Sequence, residues 1–231
     1  MKVFAISDLH ISFTTDKPMD IFGYKWRDHL ERIEKDWAEK VSDDDIVLLA
    51  GDHSWAMDLS DAIIDLQYIF NKKGKKVLIK GNHDLWWQGI TKFRNLLPSG
   101  TYALQNDSIK IGKYIICGSR AWAVEGSPDF KEADRKIYVR EAQRLSMSLS
   151  SAVKQAEEGD EIIVMVHFPP FNAQRENSLF TDLFEKYGIK KVVYGHLHGN
   201  ASRTDSIVQK NGVTYYLTSC DQTGCKLVDI T

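Results

Sequence analysis

The sequence predicts an α/β fold in which two mixed β-sheets pack face to face with helices on the outside. The first half alternates short apolar runs with segments of helical periodicity, which is typical of parallel βαβ units. The second half contains hairpin signals, and hairpins add antiparallel strands to a sheet. A single doubly wound sheet with an antiparallel edge is the alternative, because these patterns do not give the strand order. We treat residues 1–231 as one domain.

Three strands and three helices are predicted in the first half. The strands lie at 2–7, 46–50 and 75–80, and the helices at 26–41, 59–70 and 90–97. Apolar residues repeat with a 3.6-residue period in the first two helices. Asp58 or Ser60 can cap the second helix, Gly74 follows its end, and Pro98 stops the third.

Two hairpins and two further helices are predicted in the second half. The turns of the hairpins are Gly112-Lys113 and Asn211-Gly212, and Asn-Gly is the strongest of the hairpin dipeptides. The strands lie at 109–111, 114–117, 162–166, 191–194, 207–210, 213–218 and 226–230, and the helices at 130–158 and 179–187.

Composition excludes several classes of protein. Lys and Arg number 30 and Asp and Glu 32, giving a formal charge of −2, which argues against binding to polymeric nucleic acid. The apolar runs are too short for a membrane span or a signal peptide. The three cysteines, Cys117, Cys220 and Cys225, fit reduced thiols. We therefore expect a cytoplasmic protein with no membrane partner.

Six of the seven histidines directly follow predicted strands. They stand in five short motifs: Asp8-Leu9-His10, Gly51-Asp52-His53, Gly81-Asn82-His83-Asp84, His167, and Gly195-His196-Leu197-His198. Ligands bind at the carboxyl ends of strands in α/β sheets, because the loops there converge. His29 is the exception and is predicted to be an ordinary helix residue.

The residue types in these motifs are those of a metal centre. One residue separates Asp8 from His10, and one separates His196 from His198, so in an extended chain each pair points to one side. Imidazole and carboxylate together suit Zn, Mn, Fe or Ni. Asp52 has two oxygens and can bridge two ions. The neighbouring glycines permit close backbone approach.

In their order along the chain, these motifs resemble the calcineurin-like metallophosphoesterase superfamily. The resemblance runs from Asp8 to His198 and implies a four-layer α/β/β/α sandwich with two divalent ions. The implied ligands are Asp8, His10 and His198 for one ion, Asn82, His167 and His196 for the other, and Asp52 as the bridge. His83 would face the substrate, as an acid for the leaving oxygen or as a stabiliser of transition-state charge.

The chain departs from the family pattern at one position. Many members read Gly-Asp-x-x-Asp, and the second Asp supports the catalytic histidine, whereas this chain has Trp55 there. Asp84 or Asp58 could take over that support from outside the ligand set. His53 occupies a position that is not usually a ligand, so a supporting or substrate-binding role is open to it.

The predicted function is a metal-dependent phosphoesterase acting on a small phosphomonoester or phosphodiester. A hydroxide bridging the two ions would attack phosphorus, and His83 would protonate the leaving group. Arg120 and Arg175 follow predicted strands and are candidate contacts for phosphate oxygens. The alternatives are a nuclease or cyclic-nucleotide phosphodiesterase, a non-catalytic scaffold with the same fold, and a metal-dependent amidohydrolase.

Overall fold

The computed structural model describes residues 1–199 and 205–231, in which five α-helices and eleven strands are formed. The helices are α1 (His29–Lys40), α2 (Leu59–Phe70), α3 (Ile90–Arg94), α4 (Arg135–Gln155) and α5 (Leu179–Lys186). The strands are β1 (Val3–Ile6), β2 (Ile46–Leu49), β3 (Lys75–Ile79), β4 (Thr101–Leu104), β5 (Ser108–Ile111), β6 (Tyr114–Ser119), β7 (Glu161–Val166), β8 (Lys191–Tyr194), β9 (Ile207–Lys210), β10 (Val213–Leu217) and β11 (Val228–Asp229).

The strands form two mixed sheets. The order in the first sheet is β11-β1-β2-β3-β4, and the order in the second is β5-β6-β7-β8-β10-β9. Strands β1 to β4 run parallel, as do β6, β7, β8 and β10, while β11, β5 and β9 are antiparallel edges. Both hairpins are therefore confirmed, and the single doubly wound sheet is excluded.

Three apolar layers hold these sheets and helices together. Alternate residues of each strand face opposite ways, so each sheet buries both of its faces. Val3, Leu48 and Val77 of the first sheet pack against Ile116 and Met165 of the second, filling the space between the sheets. The outer face of the first sheet packs under α1, α2 and α3, and that of the second under α4 and α5. The predicted four-layer α/β/β/α sandwich is confirmed.

Several helix boundaries differ from the sequence expectation. The helix predicted at 26–41 begins only at His29, because Met19–Phe22 and Tyr24–Trp26 form 3₁₀ turns on either side of Gly23. The helix predicted at 130–158 spans Arg135–Gln155. Strand β4 was not predicted, since its four residues lack a marked apolar pattern and gain their order by pairing with β3.

Within the described ranges, no helix has the length and apolar character that crossing a bilayer requires.

Parallel pairing brings the carboxyl ends of the central strands to one edge of the molecule. Neighbouring strands β1, β2 and β3 end together in the first sheet, and β7 and β8 end together in the second. The two sheets are joined at this edge, where Ser7 forms a bridge with Ser219 and its N–H donates to Thr218 O. The loops after five strands therefore converge.

Candidate metal centre

Each of the seven predicted ligands lies in a loop directly after β1, β2, β3, β7 or β8. Four of them adopt the left-handed backbone conformation: Asp8 at φ 59°, His10 at 48°, Asp52 at 55° and His196 at 71°. The expectation of an extended chain is therefore wrong both for Asp8 and His10 and for His196 and His198. Left-handed non-glycine residues cost roughly 1–3 kcal/mol each and cluster at functional sites, where the surroundings hold them.

The first group of converging side chains consists of Asp8, His10 and His198. Their potential ligand atoms all lie within 4.8 Å of one another. His198 Nε2 is 3.2 Å from Asp8 Oδ1. Its other ring nitrogen, Nδ1, is 2.8 Å from Asp221 Oδ1, which fixes the orientation of the ring. A carboxylate behind a histidine in this way is a common support for metal ligands.

The second group consists of Asn82, His167 and His196. Asn82 Oδ1 is 2.7 Å from His167 Nε2 and 2.9 Å from His196 Nδ1. Asp52 lies between the two groups, because its Oδ2 is 3.4 Å from His167 Nε2 and 3.8 Å from His10 Nε2. The sequence-based assignment of two ligand sets with Asp52 between them fits this placement.

Two glycines allow the loops to approach the carboxylates closely. A Cβ on Gly81 would lie 2.1 Å from Asp52 Oδ1, and a Cβ on Gly195 would lie 2.5 Å from Asp8 Oδ2. Both distances are far below a van der Waals contact. Any larger residue at either position would displace a predicted ligand.

Buried carboxylates control the charge of the centre. Burial would raise the pKa of Asp52, but the adjoining His167 holds it below its usual value. Burial would likewise lower the pKa of His167, but Asp52 raises it to about 9. Burial would lower the pKa of His198, and Asp8 with Asp221 raises it to about 10. Protonated imidazoles therefore balance the buried carboxylates.

The other two imidazoles are neutral. Burial lowers the pKa of His10 to about 3 and that of His196 to about 4. Neutral imidazole nitrogens and ionised carboxylates are the forms in which these side chains bind metals. Ion binding would replace the protons on the remaining two histidines.

The residues present fit divalent metal ions. Among the described residues, His10 Nδ1 is buried without a hydrogen-bond partner, and the buried Asp52 Oδ2 has only the longer ion-pair contacts with His167 and His10. Buried polar atoms are seldom left unpaired, because each costs about 1–3 kcal/mol. The donors are imidazole, carboxylate and amide oxygen without thiolate, a set that suits Zn, Mn, Fe or Ni.

Asp84 is a buried clamp between two of the site loops. It accepts hydrogen bonds from the backbone N–H groups of Asp52 at 2.9 Å, His53 at 2.8 Å, Ser54 at 3.4 Å and Gly81 at 2.8 Å. It thereby joins the loop after β2 to the loop after β3, which carry the predicted ligands Asp52 and Asn82.

Among the described residues, neither Asp84 nor Asp58 forms a hydrogen bond with the His83 side chain. The oxygens of Asp84 are engaged by the backbone, and Asp58 caps α2 by accepting from Asp61 N–H. His53 is fully buried, with Nε2 2.9 Å from Ile79 O, so it lies beneath the loops and does not face a substrate.

Trp55 takes the place of the missing acid beside His83. Its ring centroid is 4.5 Å from that of His83, and it stacks on His10 at 4.6 Å with an interplanar angle of 19°. Lys17 Nζ lies 3.1 Å from the Trp55 ring centroid, and Trp55 Nε1 is 3.2 Å from Met19 Sδ. The loop after β1 therefore packs on the tryptophan, which holds His83 by ring contact. Burial lowers the pKa of His83, and Asp52 opposes the shift.

A cavity of about 410 Å³ lies beside His196. Its lining is largely apolar and includes Val124, Phe168 and Phe171, and the Phe168 ring is 4.2 Å from the His196 ring. Arg175, a candidate substrate contact, also lines this cavity and forms an ion pair with Asp205.

Arg120, the other candidate substrate contact, lines a different cavity. Its guanidinium pairs with Glu141 of α4 at 3.5 Å and lies 4.6 Å from the Trp122 ring centroid. Burial lowers the pKa of Arg120, and Glu141 partly offsets this. Its carbonyl accepts from His167 N–H at 3.1 Å, so Arg120 meets a predicted ligand through its backbone.

Asp221 and His29 are functional neighbours that the sequence reasoning missed. Asp221 supports His198 and follows β10 by four residues, so a search of strand ends for acids as well as histidines would have found it. His29 Nε2 is 3.0 Å from Leu9 O, between Asp8 and His10. His29 is the first residue of α1, so it is a helix residue as expected, and its ring also links the first ligand loop to that helix.

Comparisons with known proteins agree with this geometry. The family model described as calcineurin-like phosphoesterase matches residues 1–200. No curated protein matches the chain. Among solved structures, it is similar to a protein of unknown function from Aquifex aeolicus, with a TM-score of 0.55 and 14% identity over 99% of this chain and 95% of the other. At that identity the likeness shows the fold alone.

We predict that Asp84→Ala destabilises the protein by about 3 kcal/mol or more, because several buried N–H groups lose their acceptor at about 1–3 kcal/mol each. Urea unfolding of both variants measures this, with Asp58→Ala as the control. Asp58 is an exposed helix cap, so its loss is expected to be clearly smaller. Equal destabilisation of the two variants would contradict the clamp.

Proposed function

The chain belongs to the calcineurin-like phosphoesterase family, and we propose that it hydrolyses a small phosphoric monoester or diester with the aid of two divalent ions. The observation that carries the proposal is the convergence of seven ligand-type side chains from five strand ends, with Asp52 between two groups. Such a set is what a dinuclear phosphoesterase requires.

The metal-holding residues follow from the two groups. Asp8, His10 and His198 would hold one ion, Asn82, His167 and His196 the other, and Asp52 both. Bound divalent ions would supply Lewis acidity toward the phosphoryl oxygens and a nucleophile from water at neutral pH. The supports of these ligands are Asp221 behind His198 and the Ala50 carbonyl, which is 2.9 Å from His167 Nδ1. They fix which ring nitrogen faces the centre.

His83 is the residue proposed to act on the leaving group. Its backbone N–H donates to Asp52 Oδ1 at 2.7 Å, which ties it to the carboxylate that lies between the two ligand groups, and its side chain is partly exposed to solvent. An imidazole beside the scissile ester can protonate the departing oxygen or donate a hydrogen bond to the phosphoryl group, a contribution typically worth about 10²–10⁴-fold.

The cavity beside His196 would take the organic part of the substrate. Its polar side chains are largely engaged within the protein: Asn172 pairs with Glu176, and Ser127 donates to Val124 O. An apolar cavity of this size fits a compact group and not a polymer. The net charge of −2 agrees, since a nucleic-acid backbone requires a basic surface.

Turnover of p-nitrophenyl phosphate and its bis-ester with added Mn²⁺ tests the proposal and separates monoesterase from diesterase. His83→Ala should keep its metal and lose about 10²-fold or more in kcat, because it removes the group proposed to act on the ester and none of the predicted metal ligands. Asp52→Ala should lose at least one ion. Activity assays and metal analysis on both measure this, with exposed Leu85→Ala as the control from the same loop. Full activity of His83→Ala would contradict its role, and unchanged metal content of Asp52→Ala would contradict the shared ligand.

We expect Trp55→Ala to lower kcat by about tenfold or more, since a catalytic group that is misplaced by about 1 Å can cost as much as 10²-fold. Trp55→Phe should restore most of the loss, because it keeps an aromatic face beside His83. Steady-state kinetics resolve kcat from KM, metal analysis detects any effect through His10, and Met57→Ala is an exposed control. An unaltered kcat in Trp55→Ala would show that the ring does not position His83.

A further inference from the structure

A second cavity, of about 240 Å³, lies where α4 meets the ends of β3, β4 and β6. Its lining includes four cationic side chains, Lys80, Arg120, Arg140 and Arg144, together with the carboxylate of Glu141. None of the seven predicted metal ligands is among its described lining residues. This basic cavity is therefore lined by residues other than the predicted metal ligands.

Three arginines of the basic cavity converge on a single oxygen. Glu141 Oε1 is 2.8 Å from Arg144 Nη1, 3.3 Å from Arg140 Nη2 and 3.5 Å from Arg120 Nη2. Glu141 is only 1% exposed, so it requires a cationic partner. One arginine would meet that requirement, and the geometry supplies three.

The basic cavity consequently holds more positive charge than Glu141 neutralises. Four cations against one carboxylate leave an excess of three positive charges among the described lining residues. The side chains of Arg140 and Arg144 are 52% and 35% exposed, so each retains N–H groups that can turn to a ligand. Like charges held in a concavity repel one another and attract an anion.

We propose that the basic cavity binds a small anion that bears a phosphate group. Guanidinium groups match the geometry of phosphate oxygens through paired N–H donors. Gln88 and Gln105 line the same cavity and add neutral amide groups. The anion is either a free phosphate-type ion or a second phosphate of the substrate, since both present the same oxygens.

An anion in the basic cavity would be connected to the metal centre through the backbone. Lys80 precedes Gly81 and Asn82 in the loop after β3. The carbonyl of Arg120 accepts from the N–H groups of His167 and Phe168, both at 3.1 Å. Binding would thus stiffen the loops that carry two of the predicted metal ligands.

Equilibrium dialysis of inorganic phosphate against the full-length, Mn²⁺-loaded protein tests the site. Arg140→Glu should weaken one class of bound phosphate by at least about tenfold, because it loses a charge-assisted hydrogen bond and adds repulsion. Arg135→Gln is the control, since Arg135 begins the same helix but pairs with Glu125 and Glu132. Phosphate at the metal centre should bind equally in all three proteins.

Glu141→Gln distinguishes a binding site from a structural ion cluster. The variant removes the competing negative charge, so phosphate should bind more tightly, whereas a purely structural cluster would lose stability with no gain in affinity. Identical phosphate binding by the native protein, Arg140→Glu and Glu141→Gln would overturn the proposal. Dialysis measures binding and needs no turnover. A protein without phosphoesterase activity would therefore contradict the proposed function, whereas the test of the basic cavity would still stand.

Kinetics identify the source of the anion. If it is a second phosphate of the substrate, Arg140→Glu should raise KM for a hexose bisphosphate about tenfold and leave KM for a hexose monophosphate unchanged. If it is a separate ion, both KM values should stay unchanged, and added phosphate should raise the thermal midpoint of the native protein by more than that of Arg140→Glu, which retains only the phosphate at the metal centre. If Arg140→Glu matches the native protein in both KM values and in the phosphate-induced thermal shift, the basic cavity does not bind phosphate.

Discussion

The structure depends on two buried carboxylates, Asp8 and Asp52, whose negative charge must be balanced where the sheets end. Both are almost fully removed from solvent, and an isolated buried carboxylate would be protonated. Histidines keep them ionised, and the raised pKa of His167 and His198 is the consequence. The protons on these rings hold the charge balance that divalent ions would otherwise provide. This accounts for why carboxylates and imidazoles lie together in an otherwise apolar interior.

The fold holds these charged side chains in a fixed arrangement. Parallel strands bring the loops to one edge, and the apolar layers on both faces of each sheet keep the strand ends in register. Asp84 then joins two of the loops, while Asp221 and His29 anchor two others. The strained backbone at Asp8 and Asp52 persists because these contacts hold it. These contacts hold the ligand-type side chains in a preorganised arrangement.

The sequence predicts every described strand except β4, most of the helices, and the position of six histidines at strand ends. These predictions succeed because apolar periodicity and strand-end position are local signals. Strand β4 could not, since pairing with β3 and not its own pattern gives it order. The left-handed conformation of Asp8 and His10 depends on hydrogen bonds to the loop after β2, which lies more than 40 residues away. The contact of Trp55 with His83 is equally non-local. The sequence showed that the usual acid is missing, and only the tertiary structure shows a ring in its place.

The near-neutral net charge conceals a separation of charge within the molecule. At the candidate metal centre, buried carboxylates are balanced by imidazoles, whereas an excess of positive side chains lines the basic cavity beside α4. An apolar cavity borders His196 at the same edge. Under the proposed function, these environments would have different tasks: the metal centre would bind the phosphoryl oxygens, the apolar cavity the organic group, and the basic cavity a further anionic group. Net charge averages over these surfaces, so the total of −2 does not reveal the basic cavity.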